Sequence, residues 1–267
     1  MQTLATSATY SAPSAARFWR WLAAAAVFGC ILLNYWWNAC PANGQNMGQV
    51  SAQYPTLLTP AGWAFSIWGL IFLALAVYAV WQLLPAQRQN PLPDAVAAPV
   101  TVASLAAGLW VVGFSYELIA LCTVLMLTTL AALVLGYGRA RHLVLAGSSP
   151  HPSSWPLSLF LGWISVATVI NVTIALRELG WTTPANVSIL LSVVLLAVVL
   201  LLGLALAFRF RDAVYPLVLA WGLLGIWAAR RAAVPELSWL ALAEAVLLAL
   251  GAGLVLARSL RPPRRSS

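Results

Sequence analysis

Three aromatic residues in one short stretch could hold a flat, apolar ligand. The stretch "TPAGWAFSIWG", Thr59 to Gly69, places Trp63, Phe65 and Trp68 at the start of a long apolar run. Indole has a broad π-face and one N–H donor, which suits stacking on a planar molecule while bonding its polar edge. At 100° per helical residue, Trp63 and Trp68 point about 140° apart. We therefore expect at least one of these rings to face lipid or another helix.

A second set of residues recurs at helical spacing in "GWISVATVIN". Trp163, Ala167 and Asn171 stand at i, i+4 and i+8, so they share one face of a predicted helix. An aromatic ring, a small residue and an amide on one face could bind a flat ligand with a polar edge. The same face could equally be a helix-packing seam, because alanine permits close approach and asparagine bonds across helices. The residues alone leave both interpretations open.

One carboxylate lies deep in an apolar run. Glu244 follows about nine residues of the last predicted span, where a charge is costly and a partner or a polar cavity is expected. It could couple protons or orient a ligand, or it could be a neutral acid bonded to a neighbouring helix.

Machinery for other chemistry is absent from the sequence. His142 and His151 both fall in a predicted loop, so axial haem ligation from within a span is not expected. We see no metal-spaced cluster, nucleophile with a base, paired carboxylates or phosphate-binding glycine loop. The sequence predicts no cofactor and no enzymatic activity.

The elements that carry these residues are transmembrane helices. The chain has 267 residues, of which 62% are hydrophobic and 7% charged, against roughly 25% charged in soluble domains. Runs long enough to cross about 30 Å of hydrocarbon predict an all-α, polytopic bundle of about eight spans. The predicted spans cover residues 18–37, 61–84, 98–116, 118–138, 155–176, 185–208, 213–229 and 236–257. We divide the run from 98 to 138 because Gly113 and Glu117 offer a place to turn.

Arginine placement predicts the topology. The net charge is +8, and all 14 basic residues are arginines. Eight spans place 11 of them on the side of the termini and only Arg177, Arg230 and Arg231 opposite, which predicts cytoplasmic termini in a bacterial cytoplasmic membrane. We interpret the first span as a membrane helix, with a signal peptide as the alternative. Residues 1–16 and the basic tail 259–267 are predicted to be disordered, and nucleic acid is not an expected partner.

Several motifs resemble those of the TspO/MBR family, the translocator or tryptophan-rich sensory proteins. "PAGWAFSIWG" resembles the opening of that family's second helix, "LWVVGF" its third and "GWISVATVIN" its fifth. The chain departs from the family pattern at Ala61, where a second proline is usual, and at Ala107, where an asparagine is usual. The resemblance covers about residues 18–176, so residues 17–177 form the family-like domain and residues 178–258 add three helices.

The resemblance implies an intramembrane pocket for a porphyrin-like or sterol-like ligand. The candidate ligand-binding residues are Trp63, Phe65, Trp68, Trp110, Phe114, Trp163, Ala167 and Asn171. The long loop Asn38–Leu58 would cover such a pocket as a lid. Two alternatives stay open: a small proton-coupled transporter that uses Glu244, and a structural protein that binds no ligand. Small-residue pairs such as Ala25 with Gly29 or Gly225 with Ala229 would permit a homodimer.

Overall fold

A computed structural model describes residues 14–41, 44–45, 47–54 and 56–259. Within these residues the chain forms nine α-helices and no strands. The helices are α1 (Ser14–Ala39), α2 (Met47–Gln53), α3 (Ile67–Trp81), α4 (Pro91–Ser115), α5 (Ile119–Leu145), α6 (Trp155–Glu178), α7 (Ala185–Phe210), α8 (Val214–Arg230) and α9 (Pro235–Ser259). The tail predicted at 259–267 lies outside the described residues except for Ser259, which ends α9.

Eight of these helices correspond to the eight predicted spans. Seven helical segments are long and apolar enough to cross a bilayer, and α8 is a shorter apolar helix of 17 residues. The chain is therefore an integral, multi-pass membrane protein with an all-α fold. The predicted break between the third and fourth spans is confirmed: Glu117 takes a left-handed φ of 56°, and the N–H of Leu118 bonds back to the carbonyl of Gly113.

Three predicted boundaries differ from the structure. Helix α1 begins at Ser14, inside the segment predicted to be disordered; residues 1–13 lie outside the described part. Helix α4 begins at Pro91 rather than near residue 98, because Asn90 caps it and proline is tolerated in a first turn. Helix α5 continues to Leu145, so His142 lies in its last turn and not in a loop.

Five of the membrane helices form a closed ring. Around it, α1 packs on α4, α4 on α5, α5 on α6, α6 on α3, and α3 again on α1. The contacts of α3 with its two neighbours are the sparsest in the ring. Helix α3 begins at Ile67, inside the aromatic stretch, so the part of the ring with the sparsest contacts lies beside Phe65 and Trp68.

The last three helices pack on one side of this ring. Helix α8 packs on α6, α9 packs on α8, and α7 packs on α9 and α8. Gly162 of α6 allows the close approach of α8, since a Cβ at that position would lie 2.8 Å from Cβ of Val218. The three additional helices are thus joined to the ring mainly through α8.

Two arginines predicted as topology signals are buried. Arg20 forms an ion pair with Asp94 and donates to backbone carbonyls in the α3–α4 connection, those of Gln82, Gln87 and Asn90. Arg141 donates to the hydroxyl of Ser154 and to the last carbonyls of α7, those of Phe210 and Arg211. Each arginine therefore ties helix ends together at the end of the bundle where residues 14 and 259 lie.

The two small-residue pairs considered for a homodimer differ in their surroundings. Gly225 is buried within the chain, where a Cβ would lie 2.7 Å from Cβ of Pro60. That pair cannot serve a second copy while α8 keeps this position. Ala25 is exposed, and a Cβ on Gly29 would have no atom within 4 Å. A dimer through this face of α1 stays a prediction.

Candidate functional site

The aromatic stretch is held against α8. Residues Gly62–Ser66 form a 3₁₀ turn before α3. The N–H of Ala61 donates to the carbonyl of Gly225 at 2.9 Å, and the indole N–H of Trp221 donates to the carbonyl of Ala64 at 2.9 Å. The ring of Trp63 meets Trp221 edge to face, with centroids 4.9 Å apart, and is 46% exposed. Trp63 therefore faces a neighbouring helix, while Trp68 points elsewhere.

Phe65 and Trp68 turn toward the ring of five helices. Phe65 meets Trp163 edge to face with centroids 5.6 Å apart. Trp68 stacks on Phe72 at 5.0 Å and meets Phe160 of α6 at 6.0 Å. Trp163 itself is only 2% exposed, so it supports Phe65 from within the core.

The predicted pair Trp110 and Asn171 forms a link between α4 and α6. The indole N–H of Trp110 donates to Oδ1 of Asn171 at 3.0 Å, and Nδ2 of Asn171 donates to the carbonyl of Ala167 at 2.9 Å. Trp110 also stacks on Phe114 with centroids 4.7 Å apart. Trp110 and Asn171 are 8% and 6% exposed. The face of α6 that carries Asn171 therefore bonds to α4. This contact favours the packing interpretation of Asn171 over the ligand-binding interpretation.

A cavity of about 460 Å³ lies between α1 and α3, and we call it the α1–α3 cavity. Its lining residues are Ile31, Asn34, Tyr35, Asn38, Ala39, Met47, Phe65, Trp68, Gly69 and Phe72. Of the eight candidate residues, Phe65 and Trp68 are in this lining, whereas the other six are not. The sequence analysis missed the α1 side of the cavity. Its signal was present in "NYWWNA", where Asn34 and Asn38 stand four residues apart at the end of an apolar run.

The loop Asn38–Leu58 contains helix α2, which packs on α4. Met47 of α2 lines the α1–α3 cavity, and Met47 N–H donates to Oδ1 of Asn38 at 3.4 Å. Tyr54 donates its hydroxyl to a carboxylate oxygen of Glu117 at 2.9 Å, which attaches the loop to the α4–α5 turn. The described part of the loop therefore reaches the α1–α3 cavity through Met47 and is attached elsewhere to α4 and to the α4–α5 turn, and its role as a lid stays a prediction.

Glu244 faces the three-helix group and not the ring. It is 3% exposed on the buried face of α9, and its Oε2 atom has no hydrogen-bond partner among the described residues. Ser238, two turns earlier, donates its hydroxyl to the carbonyl of Trp227 in α8. Glu244 is therefore not among the residues that line the α1–α3 cavity with Phe65 and Trp68, and its helix packs on α8 and α7.

Comparison with known proteins identified a family. A family model described as "TSPO-like protein" matches residues 20–254. The matched range begins in α1 and ends in α9, so it includes the three additional helices as well as the ring. No curated protein and no solved structure matched the chain.

Proposed function

The chain belongs to the TSPO-like protein family, and on this premise we propose that it binds a flat apolar ligand in the α1–α3 cavity. The ligand class is tetrapyrrole or sterol-like. One observation carries the proposal: Phe65 and Trp68, from the motif that resembles the family, line a cavity of about 460 Å³ beside the loosest part of the ring. Pockets for small molecules have volumes of roughly 300–1,000 Å³ and are mainly apolar with a few polar groups.

The two walls of the cavity suit such a ligand. Trp68 and Phe72, stacked with an interplanar angle of 28°, present aromatic surface on the α3 side. Asn34 and Asn38 bring amide groups to the α1 side. Their Nδ2 atoms donate to the carbonyls of Cys30 and Asn34, so the remaining hydrogen-bonding capacity of these amides would bond the polar edge of the ligand. A ligand would thus stack on α3 and be oriented by α1.

In this proposal the remaining candidate residues do not contact the ligand. Trp163 holds the ring of Phe65, whereas the bonds of Ala61 and Ala64 with α8, and not the ring of Trp63, hold the stretch in place. Trp110, Phe114, Ala167 and Asn171 keep α4 and α6 in register. We propose that these residues position the cavity wall without contacting the ligand.

The test compares two tryptophans of the same stretch. Protoporphyrin IX is titrated into the detergent-purified protein and into its W68L and W63L variants, and binding is followed by porphyrin absorbance. W68L removes a ring from the cavity wall, so we expect affinity to fall about tenfold, the equivalent of about 1.4 kcal/mol of stacking. W63L removes a ring that faces α8, so we expect a change of less than about threefold.

Far-UV circular dichroism of each variant checks that the bundle is folded. Equal losses in W68L and W63L would contradict a ligand at the α1–α3 cavity. Non-saturable binding to the wild-type protein would contradict porphyrin binding altogether and favour a structural role.

A second candidate function rests on Glu244. Its buried Oε2 atom without a described partner is the arrangement expected of a group that gains and loses a proton during transport. The test is proton-driven uptake of a porphyrin into proteoliposomes with an imposed pH gradient. Loss of gradient-dependent uptake in E244Q, with porphyrin affinity retained, would support coupling; uptake that ignores the gradient in the wild type would contradict it.

A further inference from the structure

A second cavity, of about 860 Å³, lies between α6 and α7, and we call it the α6–α7 cavity. It shares no lining residue with the α1–α3 cavity, and none of the eight candidate ligand residues lines it. Its volume is at the upper end of the range of small-molecule pockets, roughly 300–1,000 Å³. The cavity is therefore large enough to hold part of a second ligand.

The cavity opens sideways toward the bilayer. Helix α7 packs on α9 and α8, and α6 packs on α5, α8 and α3, so the two flanking helices have their main contacts elsewhere. The most apolar window of α7 is 17% buried, the smallest share among the seven long spans described. Leu191 and Val194 line the cavity and are also exposed. Because both lie more than a turn inside a membrane span, their exposed surface faces acyl chains.

The lining changes from polar to apolar with depth in the membrane. Thr182, Thr183 and Ser188 lie in the α6–α7 connection or in the first turn of α7. Arg177 and Arg230 lie at the ends of α6 and α8. One end of the cavity thus suits a polar group and the other an alkyl chain. The aliphatic lining of the deeper end consists of Val169, Val172, Leu191, Val194 and Leu195.

The two hydroxyl groups in the deeper part already have partners. Oγ1 of Thr173 donates to the carbonyl of Val169 at 2.8 Å, and Oγ of Ser192 donates to the carbonyl of Ser188 at 2.9 Å. Neither hydroxyl needs an acceptor from a ligand, so an alkyl chain beside them leaves no buried donor unsatisfied.

The cavity has the length of one leaflet. On α7 the lining extends from Ala185 to Leu195, about 15 Å at 1.5 Å per residue. Half of the roughly 30 Å hydrocarbon core is also about 15 Å. Trp181, in the α6–α7 connection, lines the polar end and is exposed, and tryptophan is enriched at the membrane–water interface. The cavity therefore extends from the level of the lipid head groups to about the middle of the bilayer.

We propose that the α6–α7 cavity binds one acyl chain of a bilayer phospholipid, from the leaflet away from residues 14 and 259. The chain lies along Val169 and Leu195, and the glycerol and head group lie at the α6–α7 connection beside Thr182 and Thr183. A phospholipid has the polar end, the apolar length and the lateral access that this cavity requires. The bilayer that surrounds the protein supplies it.

Dispersion contacts, and not the hydrophobic effect, favour this binding. An acyl chain is surrounded by other chains before it enters the cavity, so burial of its surface contributes little. Aliphatic side chains that face a gap lose dispersion contacts, and the bound chain restores them. The bound chain also joins α6 to α7, whose direct contacts are few. We therefore expect selective but reversible binding.

The first test counts the lipids on the protein. The detergent-purified chain is stripped of lipid and titrated with palmitoyl-oleoyl-phosphatidylglycerol, and bound lipid is counted by native mass spectrometry. We expect one saturable adduct, bound at least about tenfold more tightly than the next lipid. Lyso-phosphatidylglycerol with a single oleoyl chain is expected to bind within about threefold of the diacyl lipid, because only one chain enters the cavity.

Two pairs of exposed residues on α7 locate the adduct. Leu191 and Val194 line the cavity, whereas Leu190 and Val198 are exposed and outside the lining. We expect L191W and V194W each to fill part of the cavity and lower lipid affinity about tenfold. L190W and V198W are the matched controls, with an expected change of less than about threefold. Far-UV circular dichroism checks that all four variants are folded.

Three results would overturn the proposal: no saturable lipid adduct, losses in the two controls equal to those in L191W and V194W, or lyso-lipid affinity more than about tenfold below that of the diacyl lipid. Displacement of the phospholipid by equimolar oleate would also overturn it, since the preferred occupant would then be a free fatty acid.

The proposal is independent of porphyrin binding. W68L is expected to leave phosphatidylglycerol affinity unchanged, and V194W to leave protoporphyrin IX affinity unchanged. Each site can therefore fail alone.

Discussion

Gly225→Ala tests whether α8 holds the aromatic stretch in place. The new methyl group would lie 2.7 Å from Cβ of Pro60 and 2.8 Å from Cβ of Ala64. Neither neighbour can rotate away, because a proline ring and an alanine methyl move only with the backbone. Helix α8 must therefore shift, and the 2.9 Å hydrogen bond from Ala61 to the carbonyl of residue 225 must lengthen.

The expected loss of stability is about 2–4 kcal/mol. Overpacking contributes about 1–3 kcal/mol, and the weakened hydrogen bond contributes about 1 kcal/mol. The assay is unfolding in mixed micelles with increasing sodium dodecyl sulfate, followed by far-UV circular dichroism. Gly253→Ala is the matched control, since Gly253 lies in α9 and a Cβ there has no atom within 4 Å.

Ligand affinity gives a second readout of the same change. Phe65 follows Ala64 directly, so a displaced stretch should also weaken protoporphyrin IX binding at the α1–α3 cavity. If Gly225→Ala is as stable as Gly253→Ala, the close contact of α8 with the stretch is not rigid, and the reasoning is refuted. If stability falls and affinity is retained, α8 stabilises the fold without shaping the cavity.

Three further predictions concern buried polar groups, each measured by the same micelle unfolding. Arg20→Gln should lower stability by about 3–5 kcal/mol because it leaves Asp94 without its buried ion pair, and a loss below about 1 kcal/mol would contradict that role. Trp110→Phe and Asn171→Leu should show a coupling of about 0.6–1.7 kcal/mol in a double-mutant cycle, whereas additive effects would exclude the hydrogen bond. Glu244→Leu should raise stability by about 1–3 kcal/mol, since Oε2 is buried without a described partner; a loss would indicate a structural hydrogen bond.

Part of the candidate site could be predicted because it depends on short-range sequence. The stretch from Thr59 to Gly69 places Phe65 and Trp68 at the start of a membrane helix, and both line the α1–α3 cavity. Helical spacing alone required Trp63 and Trp68 to face different neighbours. The role of Asn171 could not be predicted, since its partner Trp110 is 61 residues away and only the packing of α4 near α6 brings them together.

Arginine placement did not predict which arginines are buried. Arg20 and Arg141 stand at the ends of apolar runs, where arginine normally marks a cytoplasmic flank. In the fold they bind carbonyl groups at the ends of other helices, contacts that span 62 to 74 positions for Arg20 and up to 70 for Arg141. A hydropathy pattern describes one helix at a time, so it cannot identify such partners.

The bilayer explains why composition and local sequence could predict the membrane-spanning helices. A bilayer core provides no hydrogen bonds to the backbone, so apolar runs of sufficient length must form helices, and their number, order and break near Glu117 follow from local residues. Which helices touch depends on contacts between distant segments, such as Gly162 with Val218 and Gly225 with Pro60. The α1–α3 cavity lies where α3 packs only sparsely on α1. Only the tertiary structure could decide that, because a cavity is a property of surfaces that no single helix contains.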